Sequence, residues 1–313
     1  MKTRKNKVVI VGAGNVGESI AFAMMTRKIA NDIVLIDLNE ARAEGDALDL
    51  GQGASLYEQI SIRQGGYEEC ADANLIVITA GIARKPGQTR LELAKVNVSI
   101  VRSITQEIMK HADNPMILVV SNPADIITAV VQNESGLPVN RVIGSGTSLD
   151  TARFRYFIAN ALDVNITDVN AYILGEHGDS QVPMWSTVNV AGIPLEDFLK
   201  QTGKTIDKED IAKRTREGGA DIIKRKGATF LGIAMASATI VENILNDENA
   251  VLPVAHVLGK EFGNWAGTAI SLPCIVNGDG IKTSLEIRMT DEEKEAMEKS
   301  VKTLHDFQKQ VIE

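Results

Sequence analysis

Cysteine is scarce in this chain: Cys70 and Cys274 are the only two in 313 residues, far apart and in no Cys-x-x-Cys spacing. That leaves no disulfide framework and no thiolate metal motif, and it points to reduced, partly buried thiols in a cytoplasmic protein. Positive charge is in deficit as well. A net charge of −8 argues against nucleic acid as a partner, because phosphates demand clustered lysine and arginine. Apolar runs are short, and none approaches the roughly 18 residues needed to span a bilayer. The basic start from Lys2 to Lys7 lacks the apolar centre and cleavage site of a secretory signal, so it reads as a solvated terminus. Internal repeats and low-complexity tracts are missing too. What remains is an ordinary globular composition, 44% hydrophobic and 24% charged, long enough for two domains.

What is present begins with alternation. The run from Lys7 to Val11 is short, apolar and β-branched, the pattern of a strand buried on both faces. Gly12-Ala13-Gly14-Asn15-Val16-Gly17 follows at once, then a helical stretch from Glu18 to about Arg27. A second buried strand, Asp32 to Asp37, ends in an acid 20 residues after Gly17. Glycines in G-x-G-x-x-G spacing are weak evidence alone. Joined to a strand, a helix, a second strand and a terminal acid, they read as a dinucleotide-binding turn. Gly12 permits the tight turn, Gly14 lets backbone approach a pyrophosphate, and Gly17 lets helix and strand pack closely. The helix N-terminus offers unpaired N–H groups and a positive dipole end to the phosphates. Asp37 would accept hydrogen bonds from a ribose and repel a 2′-phosphate, which favours NAD over NADP. A methyltransferase binding S-adenosylmethionine also uses a glycine loop and an acid, and is the rival reading of this stretch.

Further strands over Asn74 to Thr79, Pro115 to Ser121 and Val139 to Gly146 are separated by helices over Thr89 to His111 and from Pro123 to Gln132. Strands alternating with helices imply a parallel sheet with right-handed crossovers, and ligands collect at its C-terminal strand ends. Gly12, Ala80-Gly81 and Ser121-Asn122 all fall there. The stretch Gly81 to Arg90 sits at one such end and contains Pro86-Gly87, which is turn chemistry, and three cations, Arg84, Lys85 and Arg90. An ordinary solvated basic loop is one reading; a lid that closes on an anion and excludes water is the other.

The second half carries Asp150 and Arg153 three residues apart on one helical face. They are either a structural ion pair or partners for a histidine and a substrate carboxylate. A strand over Ala171 to Gly175 then delivers His177 within Gly175-Glu-His-Gly-Asp179. Strands at Thr187 to Ala191 and Ser284 to Arg288, helix from about Ile206 to Leu245 broken near Gly227, and a helix from Asp291 capped by Thr290 and Glu293 complete the reading. The expected architecture is α/β: a Rossmann-type doubly wound parallel sheet over residues 1–146, followed by an α+β substrate domain over residues 147–313.

Taken in order, Gly12 to Gly17 with Asp37, the Arg84 to Arg90 loop, Ser121-Asn122-Pro123, Asp150-x-x-Arg153 and Gly175-Glu-His177-Gly-Asp179 resemble the lactate/malate dehydrogenase family over nearly the whole chain. Gly144-Ser-Gly-Thr147 and Lys226-Gly-Ala-Thr229 are similar to its lactate-dehydrogenase-like branch. The resemblance implies an NAD-dependent oxidation of a 2-hydroxy acid with no metal. His177 would be the general acid/base, and Asp150 would orient and charge-stabilise its ring. Arg153 would grip the substrate carboxylate with two prongs. Arg90 would polarise the carbonyl, and Asn122 would bond the substrate oxygen. Asn97, Val120, Ser121 and Asn122 would lie near the nicotinamide. The branch implies a homotetramer, with a dimer as alternative.

Substrate choice turns on the loop. In this family the Arg84 position is usually glutamine in lactate enzymes and arginine in malate enzymes. Burying Arg84 over pyruvate would strand its charge at a cost of several kcal/mol, whereas oxaloacetate would neutralise it. That argument favours a malate dehydrogenase of the tricarboxylic acid cycle. Gln88 to Glu92 and Thr229 look more like the lactate type, and an L-lactate dehydrogenase is the alternative. A non-catalytic dinucleotide-binding protein is the competing class. Arg155 matches a cation of the fructose-bisphosphate site in activated bacterial lactate dehydrogenases, while Asn170 stands where those carry histidine.

Overall fold

A computed structural model describes residues 6–56, 59–82 and 89–312. Five of its strands show why the first half reads so clearly. β1 (Lys7–Val11), β2 (Asp32–Ile36), β4 (Leu75–Ile78), β5 (Ile117–Val119) and β6 (Val142–Gly144) are buried at every position. They run parallel, with β3 (Ser61–Gln64) at the edge beside β2. Crossover helices α1 (Asn15–Thr26), α2 (Glu40–Ala54), α3 (Arg90–His111) and α4 (Ala124–Ser135) connect them. A sheet covered on both faces demands unbroken valine, isoleucine and leucine, which is what a sequence displays most plainly.

The second half opens with α5 (Ser148–Leu162). Short strands follow: β7 (Val169–Asn170), β8 (Ile173–Leu174), β9 (Val182–Pro183), β10 (Asn189–Val190) and β11 (Ile193–Pro194). Helices α6 (Leu195–Thr202), α7 (Lys208–Lys226) and α8 (Leu231–Leu245) come next. β12 (Ala250–Val257), β13 (Ala269–Asn277) and β14 (Gly280–Ser284) precede the final helix α9 (Asp291–Ile312). Thr290 and Glu293 cap α9 reciprocally, through bonds of 3.0 and 3.2 Å.

These last three strands do not build a sheet of their own. β12 meets β6 antiparallel at Ala255 and Gly144, so one nine-stranded sheet runs β14-β13-β12-β6-β5-β4-β1-β2-β3. The reading from sequence left β12 and β13 out and placed a strand at Ser284 to Arg288, where β14 in fact ends at Ser284. Pro253 and Pro273 explain the omission, because proline inside an apolar run argues against a sheet interior. In the fold the two prolines stand opposite one another in register. Cys70 and Cys274 are both free and buried, and burial pushes each thiol up to about 12. No helix among the described residues is long and apolar enough to cross a membrane.

Candidate active site

The glycine turn follows β1 directly. Gly12 has a φ of +108°, and a Cβ there would lie 2.6 Å from the Ala80 nitrogen; at Gly17 it would lie 2.0 Å from the Gly12 carbonyl oxygen. Both positions therefore exclude side chains, and the backbone closes tightly against β4. Around Gly14 nothing among the described residues stands within 4 Å of an added Cβ, leaving backbone open on the side where a pyrophosphate approaches the start of α1. Asp37, just past β2, accepts the Ala13 N–H at 2.8 Å and the Asn39 N–H at 2.9 Å, one on each oxygen. Asn15 is exposed and accepts from Arg42 at 3.2 Å, Val16 is half-buried, and Ala13 is buried. A glycine cradle at a helix N-terminus with a fixed carboxylate at the next strand end fits NAD.

At the neighbouring strand ends, Ser121 is buried and donates to the Ala80 carbonyl at 2.6 Å, beside Val120. Asn97 spends its amide on backbone. Its oxygen accepts the Ile82 N–H at 2.9 Å, and its nitrogen donates to the Asn122 carbonyl at 2.8 Å. It thus ties the root of the loop after β4 to the Ser121-Asn122 turn, while the Asn122 residue itself is exposed. Arg84 and the middle of that loop lie outside the described residues. Arg90 opens α3, which Thr89 and Glu92 cap reciprocally; its side chain also lies outside the described part.

The chemistry gathers where α5, α4 and the turn after β8 meet. Gly175, at φ +86°, exchanges backbone hydrogen bonds of 3.1 Å with Ser271 of β13 and swings the chain so that His177 faces α5. The His177 Nδ1 stands 2.5 Å from Asp150 Oδ2, while Asp150 Oδ1 accepts from Arg153 Nη1 at 2.8 Å. One carboxylate therefore holds both cations. Asp150 is only 5% exposed, Arg153 14% and His177 27%. Burial alone would raise the Asp150 pKa, yet the charges of His177 and Arg153 overcome it and hold the carboxyl below its usual range. The Asp150 charge is the largest influence on His177; it prevails over burial and lifts the imidazole to about 9. With Nδ1–H committed to Asp150, the proton available for exchange sits on Nε2.

Sequence reading missed one member of this group. Asp125, in the first turn of α4, is buried at 3% exposure, and its Oδ2 accepts the backbone N–H of His177 at 2.7 Å. Its Oδ1 has no hydrogen-bond partner among the described residues. Burial, chiefly, pushes this carboxyl up to about 7, although His177 pulls the other way. A signal was available: Asp125 is the one acid in the stretch of α4 from Ala124 to Gln132, which is buried at every position. Thr229 lies half-buried in the turn between α7 and α8. Arg155 donates to the Ala171 carbonyl at 2.9 Å and stacks 5.4 Å from the Tyr172 ring centre, while Asn170 donates to Asn189 at 3.2 Å.

A dinucleotide cradle at the C-terminal strand ends, joined in one fold to a carboxylate-paired histidine and arginine, defines an NAD-binding oxidoreductase of small acids. Residues 6–144 match the lactate/malate dehydrogenase NAD-binding domain, and residues 147–313 match the lactate/malate dehydrogenase alpha/beta C-terminal domain. The chain belongs to the lactate/malate dehydrogenase family, in its lactate-dehydrogenase-like branch, and its cofactor is NAD. It is 46% identical over 307 residues to the L-lactate dehydrogenase of Halalkalibacterium halodurans, covering 98% of this chain and 97% of that one. Over 309 residues it is also 46% identical to the L-lactate dehydrogenase of Macrococcus caseolyticus, covering 98% of each. A ligand-bound crystal structure of minor L-lactate dehydrogenase from Enterococcus mundtii superposes with a TM-score of 0.94 at 44% identity, covering 98% of both chains.

These likenesses overturn the malate dehydrogenase expected from Arg84, and with it the tricarboxylic acid cycle. Relatives between 40 and 46% identical are L-lactate dehydrogenases. The flaw was physical. The penalty for a stranded arginine applies only if the guanidinium is taken out of water, which a position in a loop does not by itself establish. Gly81, Ile82 and Thr89, which flank the loop, are all exposed.

Proposed function

We propose that this chain is an NAD-dependent L-lactate dehydrogenase that interconverts pyruvate and L-lactate. The observation that carries the reading is the Asp150 carboxylate shared between His177 at 2.5 Å and Arg153 at 2.8 Å, in a chain whose relatives carry that activity. NADH supplies the hydride that C2 of pyruvate receives. His177, held as imidazolium by Asp150, gives its Nε2 proton to the C2 oxygen, so that one hydride and one proton complete the hydroxyl acid. In the reverse direction neutral His177 takes that proton back. Arg153 receives the substrate carboxylate, a group whose two oxygens match a planar guanidinium. Arg90 polarises the carbonyl, Asn122 bonds its oxygen, and Arg84 and Thr229 border the substrate. Gly12 to Gly17, Asp37, Asn97 and Val120 to Asn122 form the cofactor side.

The same reading divides the chain into a cofactor domain, residues 1–146, and a catalytic domain, residues 147–313, in a cytoplasmic homotetramer. NADH oxidation followed at matched concentrations of pyruvate and oxaloacetate tests the substrate. A kcat/KM higher for pyruvate is expected, and a preference for oxaloacetate would sink the proposal.

A further inference from the structure

Helix α7 packs against α5. Its inward row begins with the buried Ile211 and Thr215, and the helical period puts the next inward position at 218. An amphipathic helix would carry a third inward side chain there. Gly218 and Gly219 stand in its place, inside a 19-residue helix where glycine is less stable than alanine. What occupies the vacated space is Arg153. A Cβ on Gly218 would lie 3.3 Å from Arg153 Cδ and 3.5 Å from Nε, and one on Gly219 would lie 3.6 Å from Nη2. The first of these distances is tighter than ordinary carbon contact, the last is not. Arg153 cannot retreat freely, because Asp150 holds its Nη1 at 2.8 Å.

Resting on the reading of Arg153 as the carboxylate clamp, we infer that Gly218, supported by Gly219, is a positioning residue for substrate binding. The missing methyl lets the Arg153 stem lie flat along α7, which fixes how far the guanidinium projects from Asp150 towards the substrate. A methyl at 218 displaces the stem by a few tenths of an ångström, and because two-pronged recognition is geometrically strict, carboxylate binding weakens. Hydride transfer and NADH binding do not pass through this contact.

Gly218→Ala, in a helical backbone that alanine adopts without strain, is expected to raise KM for the 2-oxo acid about tenfold. The kcat should stay within about threefold, KM for NADH unchanged, and Tm equal or higher because alanine favours the helix. Gly219→Ala, at ordinary contact distance, should raise the same KM by about threefold or less. In an Arg153→Lys background the effect of Gly218→Ala on kcat/KM should shrink below about twofold, because the two-pronged guanidinium whose placement the stem sets is gone. An unchanged KM, an equal effect in the lysine background, or a matching rise in KM for NADH would each overturn the inference. The series is run on whichever 2-oxo acid the wild-type protein reduces best. Failure on pyruvate would therefore count against the proposed function and leave Gly218 to be judged separately.

Discussion

His177 and His256 are both largely withdrawn from water, and their imidazoles are pushed in opposite directions. His256, 5% exposed on β12, meets the Ser284 hydroxyl at 3.0 Å and has Cys274 Sγ 3.9 Å from its other nitrogen. Burial dominates there, only Glu261 opposes it, and the group falls to about 4. At His177 the charge of Asp150 outweighs burial, Asp125 adds to it, Arg153 subtracts, and the group rises to about 9. Burial alone thus yields a neutral, inert imidazole. A buried carboxylate on the ring turns the same side chain into an imidazolium at neutral pH, which is the form that can donate a proton to a carbonyl.

The comparison breaks most completely at Asp150. Asp150→Asn keeps the shape and removes the charge, so His177 should drop from about 9 towards, or below, its ordinary value. Reduction requires the imidazolium. In the wild type, kcat/KM for pyruvate should hold to about pH 9 and decline above it, while lactate oxidation, which needs neutral His177, should climb over the same range. The asparagine variant should lose roughly 10²- to 10⁴-fold in reduction at neutral pH, with its alkaline limb moved well down. A limb still near pH 9 would mean that another group holds the charge.

Asp125 sharpens the contrast, since it touches the backbone of His177 rather than the ring. Asp125→Ala leaves a part-buried N–H without its acceptor, a loss of about 1–3 kcal/mol, and should lower kcat/KM roughly tenfold together with Tm. Asp125→Asn retains an oxygen acceptor and should recover most of the activity. Its effect on stability has a definite sign. The folded pKa of about 7 lies above the ordinary 3.8, so whatever stability this carboxyl contributes is complete below 3.8 and lost as pH rises through 7. The neutral asparagine should therefore match or exceed wild-type Tm at pH 8. A variant as unstable there as Asp125→Ala would show that ionised Asp125 is needed by the fold.

How much of this was legible in the chain depended on where each residue's partner came from. β1, β2, β4 and β5 announced themselves because burial on both faces leaves no polar position after the opening Lys7 of β1 and Asp32 of β2. The glycine turn was legible because Gly12 and Gly17 answer to close backbone contacts fixed by the motif itself. Asp150 and Arg153 share a face by helical spacing, but their meeting with His177 spans 27 residues and was supplied by resemblance, not by periodicity. β12 and β13 were hidden by prolines that pair only across the sheet. Asp125 was passed over because its partner is a backbone N–H 52 residues away, which no pattern of side chains records. Substrate choice failed for a related reason: a charge in a loop says little until its solvent contact is known.

The smallest expected effect lies at His256, and it concerns stability alone. The folded pKa is depressed to about 4 from 6.5. Above 6.5 the imidazole is neutral whether the chain is folded or not, and its contribution is fully present. As pH falls from 6.5 towards 4 the unfolded chain takes up a proton that the folded chain refuses, and stability is lost, by at most roughly 3 kcal/mol. His177 behaves in the mirror sense: its contribution is complete below 6.5 and lost as pH rises through about 9. His256→Asn, which keeps a polar partner for Ser284, should flatten the acid side of a Tm-against-pH curve and leave the alkaline side alone. At pH 7.5 its kcat/KM should stay within about twofold of wild type, because its partners are Cys274 and Ser284 rather than the His177 group. An unaltered acid slope would place the acid sensitivity in the carboxylates instead.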